Sequence, residues 1–243
     1  MNIHVDGDGI LADTVAHCLA EVGEIVTRGR IGENALLWIC HTTKVDASGK
    51  PNVEEVVGLI IDAAAHGARS PIFISSCLPV GTMRRLEEHI PDRPLVYIPE
   101  NIRYASPVRD FKNQERTVVG ARFFDVKLNS LINEVLLPFT KQIIRTDPET
   151  AEMSKHAMNG LLALSVVYAN EIARLCQCSG ANAVTVMETV MAEPRVGTGL
   201  PLRPGEPYGN AHIGREVFNL NKLADDHGVR APVIRNISVS NSL

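Results

Sequence analysis

The first residues of the chain place a strand, a glycine turn and a helix in immediate succession, and this order constrains the fold most. MNIHV has the pattern of a short strand, and Gly7, Gly9 and Ala12 then follow the spacing G-x-G-x-x-A. DTVAHCLAEVG repeats apolar residues at helical spacing. Glycines let a backbone approach a pyrophosphate, which rests on N–H groups at the helix N-terminus. A tight turn without a ligand is the alternative, and Asp6 and Asp8 would repel a phosphate if they faced it.

Short apolar runs alternate with amphipathic segments along the next part of the chain, which predicts an α/β fold with a mainly parallel sheet. The strand patterns are EIVTRGR, ALLWIC, PIFISS, LVYIP and RTVVGA, and the helix patterns between them include NVEEVVGLIIDAAAHG and TMRRLEEHI. A long helix pattern begins after KQIIRT. It has Asp147 as its N-cap and Pro148 in its first turn, and it continues to Gly180.

Composition and charge exclude several classes of protein. A chain of 243 residues with 45% apolar side chains can bury the core of one large domain or two smaller ones. Its net charge of −4 gives little support for binding nucleic acid. Five cysteines without a CxxC pair indicate neither a disulfide framework nor a metal site, and they fit a reducing cytoplasm. No signal peptide or membrane-spanning run is recognisable, so we expect no membrane partner.

The end of the second strand pattern carries two arginines. Enzymes that prefer NAD usually place an acid there to bind the ribose hydroxyls, whereas Arg28 and Arg30 suit a ribose 2′-phosphate. The choice of residue therefore leans towards NADP, if a cofactor binds. A pair of solvated surface arginines is the alternative.

On the long helix, Lys155 and Asn159 are four residues apart and project from one face. An ammonium beside an amide can hold an alcohol oxygen, relay its proton and stabilise the charge that develops as hydride leaves. The alternative is a solvated face, because many surface helices carry such a pair by chance. The segment LLALSVVYANEIARL is apolar around much of the helix, which predicts either a homodimer through this helix or burial in one larger core.

Four further motifs carry a resemblance to a known family. ISSCLPVGT, IPENIRYASPVRDFKNQERTVVG, ETAEMSKHAMNGLLALSVVYANEIARLC and PYGNAHIGREVFNL occur in the order seen in the UDP-glucose and GDP-mannose dehydrogenase family. With the glycine turn they cover nearly all of the chain. The resemblance implies a trimmed Rossmann-type domain over residues 1–147 and a helical dimerisation domain over 148–243. It also implies a nicotinamide cofactor, NAD or NADP, and a nucleotide-sugar alcohol as the family substrate; for this chain we expect a sugar- or nucleoside-type substrate.

The resemblance assigns roles to individual residues. The motif that matches IPENIRYA supplies a catalytic glutamate in that family, which corresponds to Glu100, and the helical lysine and asparagine correspond to Lys155 and Asn159. The residues predicted to bind the cofactor are Gly7, Gly9, Ala12, Arg28, Arg30, Thr42 and Cys77. The residues predicted to bind the substrate are Glu100, Tyr208, Gly209 and Arg215, with His212 as a further catalytic residue.

The sequence also departs from the family pattern. His212 stands where the family has its cysteine nucleophile, and Arg215 and Glu216 replace a lysine and an aspartate. Family members oxidise an alcohol to an acid in two hydride transfers, and the second needs a thiohemiacetal on that cysteine. Without the cysteine, a single two-electron step is expected. Cys77 replaces a threonine and Tyr104 a second glutamate; a buried, unreactive thiol is favoured for Cys77 over a nucleophile.

Two segments of the family pattern have no counterpart in the sequence. About one strand–helix unit is missing between VTRGR and ALLWIC, and we expect the family's C-terminal domain to be absent. Three hypotheses remain open. The preferred one is an NAD(P)-dependent oxidoreductase performing one alcohol-to-carbonyl step, an arrangement that also resembles the β-hydroxyacid dehydrogenases. The others are a non-catalytic homologue that binds a ligand or a partner, and a lyase or epimerase with His212 as general base.

Overall fold

A seven-stranded sheet organises the first part of the chain, within the residues that the structure, a computed structural model, describes: 1–29, 35–66 and 70–243. In chain order its strands are β1 (Asn2–Asp6), β2 (Ile25–Thr27), β3 (Leu36–Ile39), β4 (Ile72–Ile74), β5 (Leu95–Tyr97), β6 (Thr117–Ala121) and β7 (Ile143–Thr146). Their order across the sheet is β2-β1-β3-β4-β5-β6-β7. All neighbours are parallel except β5 and β6, which are antiparallel. The predicted α/β fold with a mainly parallel sheet is therefore confirmed.

The edge of the sheet at β2 shows how the Rossmann-type fold is trimmed. In the common dinucleotide-binding order 3-2-1-4-5-6, a further strand lies outside the second one. Here β2 is the edge strand of the described sheet, and only residues 28–35 separate it from β3. That segment is too short for a strand and a crossover helix, as the sequence predicts. Residues 30–34, which include Arg30, lie outside the described residues.

Helices follow most strands, and further helices come after the last strand. They are α1 (Gly9–Glu21), α2 (Val53–Ala65), α3 (Thr82–His89), α4 (Pro107–Lys112), α5 (Val126–Leu136), α6 (Pro148–Ser179), α7 (Ala183–Ala192), α8 (Arg215–Asp226) and α9 (Pro232–Asn241). Successive strand residues alternate between two apolar clusters. Trp38 belongs to one cluster and packs edge-on against Phe73, with 5.6 Å between ring centroids, whereas Leu37 and Ile39 belong to the other.

The start of α6 is fixed to the sheet in two ways. Asp147 caps the helix, because its Oδ1 accepts the N–H of Thr150 at 2.8 Å and its Oδ2 accepts the Thr150 hydroxyl at 2.7 Å. Gly120 on β6 lets the helix approach closely: a Cβ there would lie 2.6 Å from the Cβ of Ala151. The predicted cap and the predicted long helix are both confirmed. This anchoring determines where the side chains of the first turns of α6 lie relative to the sheet.

The chain divides into two units. The first comprises residues 1–44 and 52–155 and holds the sheet; the second comprises residues 45–51 and 156–243, and its regular elements are helices. Two small apolar clusters stabilise the second unit, one around Ala163, Val167 and Val217, the other around Ala169 and Met187. In the part of the chain that is described, no helix combines the length and the apolar character needed to cross a membrane.

Candidate functional site

The glycine turn after β1 makes an unusually close contact with the segment after β3. Gly7 has a φ of 149°, and a Cβ on it would lie 2.6 Å from the carbonyl carbon of Cys40. Gly9 has a φ of 78°, and a Cβ there would lie 3.0 Å from Oγ1 of Thr42. Any side chain at Gly7 would push the two segments apart, which explains the need for glycine at this position. Ala12 lies fully buried in the first turns of α1.

The two acids beside this turn bind groups of the protein. Asp6 Oδ2 lies 3.2 Å from His41 Nε2, and this hydrogen bond lowers the pKa of Asp6. Asp8 Oδ1 accepts the backbone N–H of Thr42 at 3.0 Å. Asp8 is the N-cap residue of α1, yet its side chain makes no capping hydrogen bond to the helix. The N-terminal N–H groups of α1 are therefore not covered by the carboxylates of the turn, and the turn fits a pyrophosphate.

Arg28 follows β2 and reaches back to the glycine turn. Its Nη2 donates to the carbonyl of Gly7 at 2.6 Å, and its Nη1 donates to Oδ1 of Asp13 at 2.6 Å. The guanidinium therefore lies next to the predicted phosphate-binding backbone. It is held there by an ion pair with an exposed carboxylate, which contributes little in water.

Glu100 and Lys155 form the most unusual electrostatic arrangement of the first unit. Glu100 lies just beyond β5 and is only 4% exposed, while Lys155, on α6, is 8% exposed. The Lys155 ammonium donates to the backbone carbonyl of Glu100 at 2.8 Å, and not to its carboxylate. Gln114 donates to Oε2 of the carboxylate at 3.4 Å, and within the described residues Oε1 is buried without a partner.

Burial of this carboxyl controls its proton affinity. Loss of hydration raises the pKa of Glu100 to about 7, although the Lys155 charge and the Gln114 hydrogen bond oppose the rise. A carboxyl with a pKa near neutrality can both accept and donate a proton at physiological pH. Perturbed groups of this kind cluster at functional sites, although structural pairs produce them as well.

Three predicted cofactor residues and the predicted catalytic glutamate of the first unit follow neighbouring strands. Gly7, Thr42, Cys77 and Glu100 come after β1, β3, β4 and β5, whose carboxyl ends meet at one edge of the parallel sheet. Ligands of open α/β sheets bind at this edge.

Cys77 is buried, and its carbonyl accepts the hydroxyl of Thr43 at 2.6 Å. The hydroxyl oxygen of the neighbouring Ser76 is buried without a partner in the described part of the chain.

A second buried carboxyl has a structural explanation. Glu152 accepts the N–H groups of Gly81 and Met83 at 2.6 and 2.8 Å, so it caps the N-terminus of α3 from outside that helix. Burial nevertheless raises the pKa of Glu152 to about 7. This helix end is filled by a protein carboxylate, and sequence reasoning did not identify it.

In the second unit, two of the predicted residues lie near the start of α8. A π-helical turn (Asn210–Gly214) carries His212, which is exposed, and α8 then begins at Arg215, which is buried. Nε and Nη2 of Arg215 each lie 3.1 Å from Oε1 of Glu216. Oε2 of Glu216 lies 2.5 Å from Nδ1 of His156 on α6. This buried triad leaves no local pattern in the sequence, because its histidine and its glutamate are sixty residues apart.

The remaining predicted residues of the second unit have simpler surroundings. Asn159 is half-buried on α6, one turn after Lys155. The ring of Tyr208 packs against the apolar cluster around Val217; burial raises the pKa of its hydroxyl, which bonds to Ser238. Gly209 is exposed. The roles assigned to all these residues stay predictions.

Comparison with known proteins shows which enzymes the chain resembles in sequence. The central-domain model of the UDP-glucose/GDP-mannose dehydrogenase family matches residues 149–242. A UDP-glucose 6-dehydrogenase of Rhizobium meliloti (strain 1021) is 31% identical over 165 residues, which cover 64% of this chain and 38% of that protein. Over the residues that these matches cover, the chain is similar to the UDP-glucose/GDP-mannose dehydrogenases. It spans less than half the length of the curated relatives that it matches.

Solved structures extend this likeness to the whole fold. A UDP-glucose dehydrogenase from Pyrobaculum islandicum superposes with a TM-score of 0.86 at 19% identity, covering 99% of this chain and 68% of that one. A 3-hydroxyisobutyrate dehydrogenase from Mycobacterium tuberculosis superposes with a TM-score of 0.71 at 13% identity, covering 100% of this chain and 93% of that one. At these identities the likeness concerns the fold alone.

The raised pKa of Glu100 predicts a specific dependence of stability on pH. Between about pH 4.5, the ordinary value, and about 7, the folded state keeps a proton that the unfolded state loses. The free energy of unfolding of the wild type should therefore fall relative to that of Glu100→Gln across this range, and the difference should be constant above it. Urea unfolding of both proteins at several pH values measures this difference. Glu152 also has a raised pKa, but both proteins contain it, so its contribution to the free energy of unfolding cancels.

Glu115→Gln is the matched control, because Glu115 is exposed in an ion pair with Lys141. Its difference from the wild type should vary little between pH 5 and pH 8. If Glu100→Gln behaved like this control, burial would not govern the Glu100 proton.

Proposed function

We propose that the chain is an NAD(P)-dependent oxidoreductase that interconverts an alcohol and a carbonyl on a sugar- or nucleoside-type substrate, in a single two-electron step. The observation that carries this proposal is the buried pair of Glu100 and Lys155, at the edge of the sheet where the glycine turn also lies. The relationship to the UDP-glucose/GDP-mannose dehydrogenases supports the redox class.

The ammonium of Lys155 has donors available for a substrate. An ammonium has three N–H donors, and one of them goes to the carbonyl of Glu100. The others can hold an alcohol oxygen and stabilise the negative charge that develops on it. Asn159, one turn further along α6, supplies a second donor to the same oxygen in this proposal.

Glu100 serves as the proton acceptor. Its pKa near 7 places it between the protonated and ionised forms at neutral pH, which suits a group that moves a proton in both directions of a reversible reaction. Its unpartnered Oε1 is the atom that receives the proton, either from the substrate or through an ordered water. The nicotinamide cofactor, when bound, accepts or supplies the hydride.

The glycine turn and Arg28 hold the cofactor in this proposal. Gly7 and Gly9 bring the backbone close to the pyrophosphate, while Arg28 lies beside the turn in a weak ion pair with Asp13. A ribose 2′-phosphate would compete with Asp13 for this guanidinium, which favours NADP over NAD. The trimmed edge at β2 removes protein that would otherwise contact the adenosine half of the cofactor.

His212 limits the reaction to one step. An imidazole moves protons near neutral pH but cannot carry the thioester-type intermediate that a cysteine forms on the way to an acid. The exposed position of His212 suits a proton relay or a contact with the substrate. As the general base of a lyase or epimerase, the same imidazole would act without net oxidation or reduction of the cofactor.

Replacement of the lysine separates catalysis from cofactor binding. Lys155→Met should lower the turnover of any active alcohol probe by about 10²–10⁴-fold, because charge stabilisation and proton relay are both lost. The affinity for NADH and NADPH should change less than about twofold, with NADPH bound more tightly. Fluorescence titration and absorbance assays with UDP-glucose, GDP-mannose and simpler sugars as probes measure the two effects.

Lys222→Met is the control for this experiment, since Lys222 is exposed and pairs with Asp226. It should match the wild type in both assays. Turnover retained in Lys155→Met would remove the lysine from the mechanism. A wild type that binds neither cofactor would support the non-catalytic hypothesis, and turnover without net reduction of the cofactor would support a lyase or epimerase.

We also propose that the chain forms a homodimer through α6. Leu161, Tyr168 and Leu175 are 50%, 48% and 64% exposed, and their spacing of seven residues places them in one stripe along the helix.

Leu161→Lys should weaken the dimer by at least about tenfold, because a charge would enter an apolar interface. Size-exclusion chromatography with light scattering over a dilution series measures this. Gln177→Lys, on another face of α6, should leave the dimer unchanged; a wild type that stays monomeric at high concentration would refute the proposal.

A further inference from the structure

A side-chain amide at the end of α9 pairs with the backbone of the loop that leads to His212. Asn241 Nδ2 donates to the carbonyl of Tyr208 at 3.0 Å, and Asn241 Oδ1 accepts the N–H of Tyr208 at 3.0 Å. One planar carboxamide thereby satisfies both backbone groups of one residue, as a neighbouring β-strand does in a hydrogen-bonded pair. Two bonds from one rigid group fix both the position and the orientation of the backbone at Tyr208.

The side chain of Tyr208 strengthens this attachment. Its ring packs into the apolar cluster formed with Ile213 and Ile234, and its hydroxyl bonds to Ser238, one turn before Asn241 on the same helix. Tyr208 is thus held to α9 through its backbone and through its side chain. Further upstream, the N–H of Gly205 donates to Oδ1 of Asn170 on α6 at 2.9 Å, so a second amide fixes the earlier part of the loop.

The attached residue lies immediately before the π-helical turn. The carbonyl of Gly209, the next residue, accepts the N–H of Gly214 at 3.2 Å, and this bond closes the turn on which His212 lies. Short π-helical turns are rare and are frequently found at functional sites. The direction of the Gly209 carbonyl depends on the peptide plane that Asn241 holds, because the Tyr208 carbonyl belongs to the bond between these residues.

We propose that Asn241 is a positioning residue for His212: it fixes the Tyr208–Gly209 peptide, which immediately precedes the peptide whose carbonyl closes the π-helical turn. It contacts neither the imidazole nor a substrate, and it acts through the backbone of Tyr208 and Gly209. The hydrogen bonds that hold this loop to α9 do not depend on the redox chemistry proposed above. Only the consequence for turnover rests on the proposed function.

The direct test measures the order of the loop. Asn241→Ala should raise the amide hydrogen-exchange rates of residues 208–214 by about tenfold or more, since both hydrogen bonds that hold the backbone of Tyr208 to α9 are lost. It should also shift and broaden the imidazole resonances of His212, assigned by comparison with His212→Gln. Asn236→Ala is the matched control, because Asn236 lies on the same helix and, among the residues that the structure describes, its side chain bonds only to the carbonyl of Pro232.

A second variant keeps the test decisive if the alanine variant folds poorly. In Asn241→Asp, a protonated carboxyl can still donate to the Tyr208 carbonyl, whereas the ionised form repels it. The His212 resonances should therefore match the wild type at low pH and depart from it as pH rises through the pKa of the new carboxyl. Exchange rates and resonances that match the wild type in both variants at all pH values would overturn the proposal.

A turnover assay then separates this inference from the proposed function. With an alcohol probe that the wild type oxidises, Asn241→Ala should lower kcat and leave NADPH affinity in the first unit unchanged, and Asn236→Ala should do neither. Loop disorder with unchanged kcat would overturn the positioning role of Asn241 towards a catalytic His212. If the wild type oxidises no probe, the proposed function fails, and the exchange and resonance data alone decide whether Asn241 positions His212.

Discussion

The burial of Glu100 beside the ammonium of Lys155 is the interaction on which the account of this protein depends. Two ionisable groups lie almost out of contact with water, yet the ammonium bonds to the main-chain carbonyl and leaves one carboxyl oxygen without a partner. The cost of burying a negative charge therefore outweighs the nearby positive charge, and the pKa of Glu100 rises to about 7. A salt bridge between the two side chains would instead have held the carboxyl ionised.

This pair depends on features of the fold that are distant from it in sequence. Lys155 lies in the second turn of α6, whose first turn is capped by Asp147 and packed against Gly120 of β6. Glu100 follows β5, which pairs with β6 in the one antiparallel contact of the described sheet. The same strand arrangement therefore determines the positions of both groups. The glycine turn lies at the same edge, because β1, β3, β4 and β5 are parallel.

Much of the fold could be predicted from the sequence. Strands β3, β4 and β5 are buried throughout, so their apolar runs stand out from the polar segments around them. The strand β7 was not predicted, because it is only partly buried and lies at the edge of the described sheet. The antiparallel pairing of β6 leaves no local pattern. Asp147 predicted the start of α6 correctly, because a helix cap depends only on nearby residues.

The candidate site was predictable in its residues but not in its contacts. Glu100 and Lys155 followed from the family resemblance, whereas the bond from the ammonium to a main-chain carbonyl depends on how β5 and α6 meet. Arg215 was expected to bind substrate, and the structure adds its contact with Glu216, which also pairs with His156. Asn241 had no signal at all in the sequence, since one asparagine near the end of a helix resembles any other polar surface residue.

The most direct measurement is the number of cofactor molecules reduced for each molecule of alcohol consumed, with NADP⁺ or NAD⁺ in excess and hydrazine present to trap a carbonyl. The account predicts one reduced cofactor per alcohol and a hydrazone as the trapped product, because His212 cannot carry the second oxidation. Two reduced cofactors with an acid as product would contradict the single-step chemistry. Consumption of the probe without any reduced cofactor would contradict the redox assignment itself.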